Sequence, residues 1–227
     1  MKRDILSIDK PAGWTSFDVV AKIRGRIRRE YAAAGVKPTK RQLRVGHTGT
    51  LDPFATGLLI ILLGDATKRS DEFLKLDKEY EATVRLGQTS STGDPEGELS
   101  DVSTRVPSLH EVEGALATFV GDIQQTPPVY SAIKIDGQRA YKLARKGQAV
   151  EMPTRSVTIH SIELLDYTYP ELRIRVHVSS GTYIRTLAED IGQALGVGAY
   201  CSQLRRTKVG DVSIESAVTL DELMAGE

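Results

Sequence analysis

One carboxylate in this chain, Asp52, sits where its surroundings suit it for chemistry. The segment Gly46-His47-Thr48-Gly49-Thr50-Leu51-Asp52-Pro53-Phe54-Ala55-Thr56-Gly57 packs three glycines, a proline, a histidine and a single acid into twelve positions. The apolar run Leu58 to Leu63 follows at once. That order reads as a shaped loop fixed to a buried strand. Glycines permit positive φ or a close approach of backbone to a ligand. Pro53 biases Asp52 toward an extended conformation and stops a helix from running through it. A carboxylate held on a tight loop anchored by core suits a nucleophile or a general base. An Asp-Pro turn that only caps a strand has the same composition.

The elements that must hold this loop are readable on both sides. Arg3 to Asp9 has the alternation of a short strand, and Lys10-Pro11-Ala12-Gly13-Trp14 is a turn. Thr15 or Ser16 can cap the helix that follows. In that helix Val19, Val20, Ile23 and Ile27 form one stripe, with Lys22, Arg26 and Arg29 pointing outward. Residues 32–38 are a flexible connector. Leu58 to Leu63 lacks alternation and reads as a fully buried strand, and residues 64–75 turn into a short helix. Glu79 to Leu86 alternates, placing Tyr80, Ala82, Val84 and Leu86 on the core face. Residues 87–100 are loop by composition. Ser108 and Glu111 form a capping box for a helix lined by Leu109, Val112, Leu116 and Phe119.

Thr126-Pro127-Pro128 breaks the pattern and opens an excursion to about residue 155 that carries a short helix near Tyr141 to Arg145. Val157–Leu165 and Leu172–Val178 read as adjacent strands, the second with Leu172, Ile174, Val176 and Val178 inward. Thr182 can cap a helix with core stripe Ile184, Leu187, Ile191 and Leu195, closed by Gly196. Arg185 lies off that stripe, in register with Glu189 as an ordinary i,i+4 pair.

With those residues in view, the chain resembles the TruB family, bacterial tRNA pseudouridine synthases acting on the T-loop uridine at tRNA position 55. The loop carries the family pattern Gly-His-Thr-Gly-x-Leu-Asp-Pro-x-Ala-x-Gly in full, and Lys10-Pro11-Ala12-Gly13-Trp14-Thr15-Ser16 is similar to the family's opening. Lys78-Glu79-Tyr80-Glu81-Ala82, Gly181-Thr182-Tyr183-Ile184-Arg185 and Leu204-Arg205-Arg206 match further motifs, and the Pro-Pro-x-Tyr-Ser-Ala stretch is similar to the family's thumb-like insertion. The resemblance implies Asp52 as nucleophile, Tyr80 stacking on the target base, Arg185 ion-paired with Asp52, and His47 filling space vacated in the RNA. It further implies substrate contacts from Lys10, Arg44, Gly46, Thr48, Asp94, Lys134, Tyr183 and Leu204. The expected fold is α+β, with a mixed, mainly antiparallel central sheet flanked by helices and a thumb-like insertion over about residues 124–155.

The expected domain plan is a catalytic domain over residues 1–210 and a short tail over 211–227, too short for the PUA domain that many relatives carry. The reaction needs no cofactor. Attack at the sugar C1′, attack at the base C6 and elimination to a glycal all remain open.

Bulk properties fit this reading. A chain of 227 residues with 40% hydrophobic and 26% charged content buries roughly 70% of its unfolded surface. One cysteine, Cys201, allows no internal disulfide, which suits a reducing cytoplasm. There is no signal-peptide core and no membrane span. The four histidines are scattered, without metal-ligand spacing. Net charge is zero but uneven: nine basic residues against Glu30 lie between Lys22 and Arg44, and six against Asp136 and Glu151 between Lys134 and Arg155. Seven acids against Arg105 lie between Asp94 and Asp122. Local basic faces fit phosphate contacts along a T-arm stem-loop, with the protein expected to act as a monomer. Two other readings use the same residues: an RNA-folding module that does not need Asp52, and a carboxylate-nucleophile hydrolase, which would want an acid cluster near Asp52.

Overall fold

Strand β1, Ile5–Lys10, buries every second side chain in the computed structural model, which describes residues 4–225 except Ala132, Asp136, Arg145, Lys146 and Ala149. Arg3, read as the start of this strand, lies outside the described residues. Helix α1, Ser16–Ala33, is capped by Thr15, whose hydroxyl accepts from the Asp18 N–H while the Asp18 carboxylate reaches back to the Thr15 backbone. Val19, Val20, Ile23 and Ile27 are buried as their spacing requires, but so is Arg26, which was read as outward. Its guanidinium reaches Glu30 one turn on, at 2.7 Å, so burial comes with an ionic partner.

Next come β2 (Val45–His47), β3 (Thr56–Leu63), a 3₁₀ turn (Gly64–Arg69), α2 (Ser70–Leu74) and β4 (Lys78–Leu86). Residues 87–100, read as loop, hold all but the last residue of the hairpin β5 (Gln88–Ser90) and β6 (Leu99–Asp101). Helix α3, Leu109–Ala117, has the Ser108–Glu111 capping box. It buries Val112 and Leu116 and leaves Leu109 exposed, one position off the expected stripe.

Strand β7 (Gly121–Gln125) leads into the insertion, which holds β8 (Lys134–Ile135), β9 (Gln138–Arg139) and α4 (Ala140–Ala144). Strands β10 (Arg155–Thr168) and β11 (Glu171–Val178) are longer than their apolar cores indicate. Helix α5 (Ile184–Ala194), β12 (Ala199–Val209), β13 (Val212–Ser213), β14 (Val218–Thr219) and α6 (Leu220–Ala225) complete the chain.

The chain divides into two units, residues 1–79 with 205–227 and residues 80–204. Strands β4 and β12 each contribute residues to both. In the first unit β3 is the centre. It runs antiparallel to β1 and β2 and parallel to β12, where Arg205 and Arg206 face Thr56 and Gly57. Strand β14 adds to the other side of β1 in parallel, and β13 pairs with the end of β12. Seven consecutive residues of β3, Gly57 to Leu63, are buried, so the strand is covered on both faces.

In the second unit β11 pairs antiparallel with β10, and β10 with β7. Strand β11 buries Leu172, Ile174, Val176 and Val178 and turns Arg173, Arg175 and His177 outward. His160 and His177, read as scattered, face each other with ring centroids 4.7 Å apart. The sheets are mixed and mostly antiparallel, with helices packed against them: an α+β fold. No helix among the described residues is long and apolar enough to cross a membrane.

Candidate active site

The Asp52 loop lies wholly in the first unit, and its backbone is held at several points. Gly46 and His47 of β2 pair with Leu62 and Ile61. The buried Thr48 donates its N–H to the Ile60 carbonyl at 3.0 Å. The chain then leaves the sheet and rejoins it at Thr56. Arg206, only 1% exposed, ties both shoulders of this excursion. Its Nε donates to the Leu58 carbonyl at 2.7 Å and a terminal nitrogen donates to the Gly49 carbonyl at 3.2 Å.

At the apex the Ser16 hydroxyl accepts the Leu51 N–H at 2.9 Å and donates to the Leu51 carbonyl at 3.2 Å. The Pro53 carbonyl accepts from the Gly13 N–H at 2.8 Å and from the Lys10 ammonium at 3.3 Å. Lys10 is fully buried and also donates to the Pro11 and Trp14 carbonyls. A buried ammonium survives only with such partners. The Asp52 carbonyl accepts the Ala55 N–H at 3.1 Å, leaving its half-buried carboxylate on a backbone with little freedom. Arg44 is exposed, and its carbonyl accepts the Gly64 N–H.

The second unit holds Tyr80, Asp94, Tyr183, Arg185 and Leu204. Arg185 is not a surface residue: it is 3% exposed and its guanidinium lies 3.0 Å from the buried Asp94 carboxylate. It also donates to the carbonyls of Thr92 and Tyr130, each at 2.8 Å. The other Asp94 oxygen accepts from the Thr92 hydroxyl and the Glu96 N–H, at 2.6 and 3.0 Å. An ion pair this deep is stable only when its remaining lone pairs and protons are satisfied, and here most are.

Helix α5 begins at Tyr183, which carries no side-chain cap; Thr182, read as the cap, donates to the Ser179 carbonyl instead. Gln125, 1% exposed, fixes the backbone just where the helix starts. Its side-chain amide accepts the Tyr183 N–H at 2.7 Å and donates to the Tyr183 carbonyl at 2.9 Å. The Tyr183 ring is covered by Arg155 with the guanidinium carbon 4.9 Å from its centroid. Tyr80 and Leu204 are buried, at 9% and 8% exposure. Lys134 lies on β8, and its side chain is outside what the structure describes.

A cleft of about 700 Å³ opens between the insertion and α5, with Thr92, Tyr130, Gln148, Met152, Thr186 and Glu189 in its wall. Burial pushes the Glu189 carboxyl up to about 6, reinforced by Asp190 and opposed by Arg185. The folded protein therefore holds this proton more tightly than the unfolded chain does. Its stabilising effect is complete below pH 4.5 and is lost as pH rises through 6. Glu189→Gln is expected to gain about 1 kcal/mol of stability at pH 7.5, solvent screening included, with no gain at pH 4. Urea denaturation of both proteins at the two pH values measures this.

Ser16, Gln125 and Arg206 escaped the sequence reading as positioning groups. Ser16 was visible only as a possible cap, Arg206 only as part of the Leu204-Arg205-Arg206 motif, and Gln125 not at all. The first unit holds a carboxylate on a preorganised loop; the second holds the buried Arg185, two tyrosines and a cleft beside the insertion. A carboxylate held on a loop this constrained has the geometry a nucleophile or general base needs.

Comparison with known proteins bears on the same segments. The profile of the TruB family pseudouridylate synthase N-terminal domain matches residues 36–184, and that of the tRNA pseudouridylate synthase B C-terminal domain matches residues 185–226. The tRNA pseudouridine synthase B of Parabacteroides distasonis is 47% identical over 97% of this chain and 91% of its own. That of Phocaeicola vulgatus is 50% identical over 96% and 90%, and that of Cupriavidus pinatubonensis 49% identical over 97% and 67%. Among solved structures, a chain of a Cbf5–Nop10–Gar1 complex superposes with TM-score 0.69 at 31% identity, covering 97% of this chain and 53% of that one. This chain thus spans about half the length of that structural relative.

Proposed function

The chain belongs to the TruB family of pseudouridylate synthases and is a tRNA uridine-to-pseudouridine isomerase, and we propose that its target is the T-loop uridine and its nucleophile Asp52. The observation that carries the proposal is the Asp52 loop, a half-buried carboxylate with backbone hydrogen bonds to Ser16, Gly13, Lys10 and Arg206 around it.

Isomerisation breaks the C1′–N1 bond, turns the uracil and forms a C1′–C5 bond. The C5 proton must leave and N1 must gain one, so no net oxidation occurs. Base flipping out of a folded loop costs a few kcal/mol, and stacking on Tyr80 returns about 1–3 kcal/mol. On the family resemblance we also assign to Arg185, besides its pair with Asp94, a role in favouring the ionised form of Asp52. The basic stretches 22–44 and 134–155 supply phosphate contacts that position the T-arm without reading sequence. Loop shape and stacking provide the selectivity.

The test uses a T-arm stem-loop with tritium at uridine C5. Tritium release is expected from the wild-type protein, and Asp52→Asn is expected to lower it at least about 10³-fold with binding retained. Release that persists in Asp52→Asn would remove Asp52 from the role. A wild type that binds the stem-loop and releases nothing would mean an RNA-folding module instead.

A further inference from the structure

We propose that Ser16 is a positioning residue for the reaction, acting through the backbone of the residue that precedes Asp52; the inference rests on the assignment of Asp52 as nucleophile. Ser16 opens α1, a place where a hydroxyl ordinarily serves as cap. Here Thr15 fills that role with both halves of a capping box, so the Ser16 side chain is released from it. Ser16 is 2% exposed and spends its hydroxyl across 35 residues of sequence on Leu51 alone, accepting the N–H at 2.9 Å and donating to the carbonyl at 3.2 Å. One oxygen thereby imitates a neighbouring strand and fixes both peptide planes that flank Leu51. The second of those planes ends at the Asp52 nitrogen, so its orientation decides where the Asp52 Cα–Cβ bond points.

Downstream of Asp52 the chain is held by a different set: Gly13 and Lys10 on the Pro53 carbonyl and Ala55 on the Asp52 carbonyl. Upstream, Arg206 holds the Gly49 carbonyl and Ser16 holds both backbone groups of Leu51. Leu51 itself is 3% exposed, which keeps water from replacing the hydroxyl. Without Ser16 the Leu51–Asp52 peptide can turn, and a carboxylate displaced by even an ångström loses much of its rate. Substrate affinity, set by distant phosphate and stacking contacts, does not depend on that peptide.

The experiment measures single-turnover tritium release and stem-loop affinity for Ser16→Ala, Ser16→Thr, Asp52→Glu and the Ser16→Ala/Asp52→Glu double variant. Ser16→Ala is expected to slow the chemical step at least tenfold while the dissociation constant moves less than twofold, and Ser16→Thr, which keeps the hydroxyl, to recover most of the rate. In the Asp52→Glu background, where the carboxylate is already displaced by one methylene, removing the hydroxyl is expected to cost less than threefold. Coupled sites behave this way and independent ones do not. A Ser16→Ala rate within twofold of wild type would overturn the proposal. So would a full tenfold loss that repeats in the Asp52→Glu background, since that pattern belongs to general loosening of the fold. Should Asp52→Asn, with Ser16 intact, retain wild-type release, the nucleophile assignment itself fails and takes this inference with it.

Discussion

Arg185→Leu is expected to destabilise the protein by about 3–5 kcal/mol, the usual consequence of removing one member of a buried ion pair. The pair with Asp94 is closed off from water on both sides, the side chains being 3% and 6% exposed. Leucine fills much of the volume and leaves the Asp94 carboxylate with the Thr92 hydroxyl and the Glu96 N–H but no cation. It also strips a donor from the Thr92 and Tyr130 carbonyls. Because the penalty arises from a stranded charge, the double variant Arg185→Leu/Asp94→Leu is expected to recover half or more of the loss. Urea denaturation of wild type, the two single variants and the double variant supplies the cycle. If the double variant is no more stable than Arg185→Leu, lost packing rather than the stranded charge is responsible.

Gly57→Ala is expected to cost about 3–5 kcal/mol, combining a left-handed backbone with overpacking. Gly57 has φ +102°, and a Cβ there would stand 2.4 Å from the Arg206 carbonyl oxygen and 2.8 Å from the Arg206 nitrogen. Both obstacles are backbone atoms of a paired strand, so neither can swing aside. Gly13→Ala is the control. Its φ is +78° but nothing lies within 4 Å of the added carbon, and about 1–2 kcal/mol is expected from the conformation alone. Equal losses at the two sites in chemical denaturation would show that steric contact with Arg206 contributes nothing.

These two variants mark where the sequence was legible and where it was not. Periodic elements declared themselves: β11 alternates, β3 is an unbroken apolar run, and the Ser108–Glu111 box announces α3. The candidate nucleophile stood out because its loop compresses rare residue types into a short span. What escaped were contacts that periodicity does not encode. Arg206 reaches Gly49 across 157 residues, Gln125 reaches Tyr183 across 58, and Ser16 reaches Leu51 across 35. Each is a hydrogen bond to backbone, so the partner's side chain leaves no trace in the sequence. Arg26 was misplaced for a related reason: charge reads as exposure until a buried partner is seen. The hairpin β5–β6 was hidden because three-residue strands with little apolar character look like loop.

The interleaving of the two units in sequence has a consequence for synthesis. Residues 80–204 form one unbroken stretch, whereas the other unit needs residues from both 1–79 and 205–227. Domains fold as units while the chain emerges N-terminal end first. The stretch 80–204 is therefore free to fold while the loop bearing Asp52, already translated, still waits for its partner strand. Arg206, which closes both shoulders of that loop, is translated only after the whole of the other unit. A growing chain thus carries Asp52 at least 154 residues of synthesis before the arginine that closes its loop has been made.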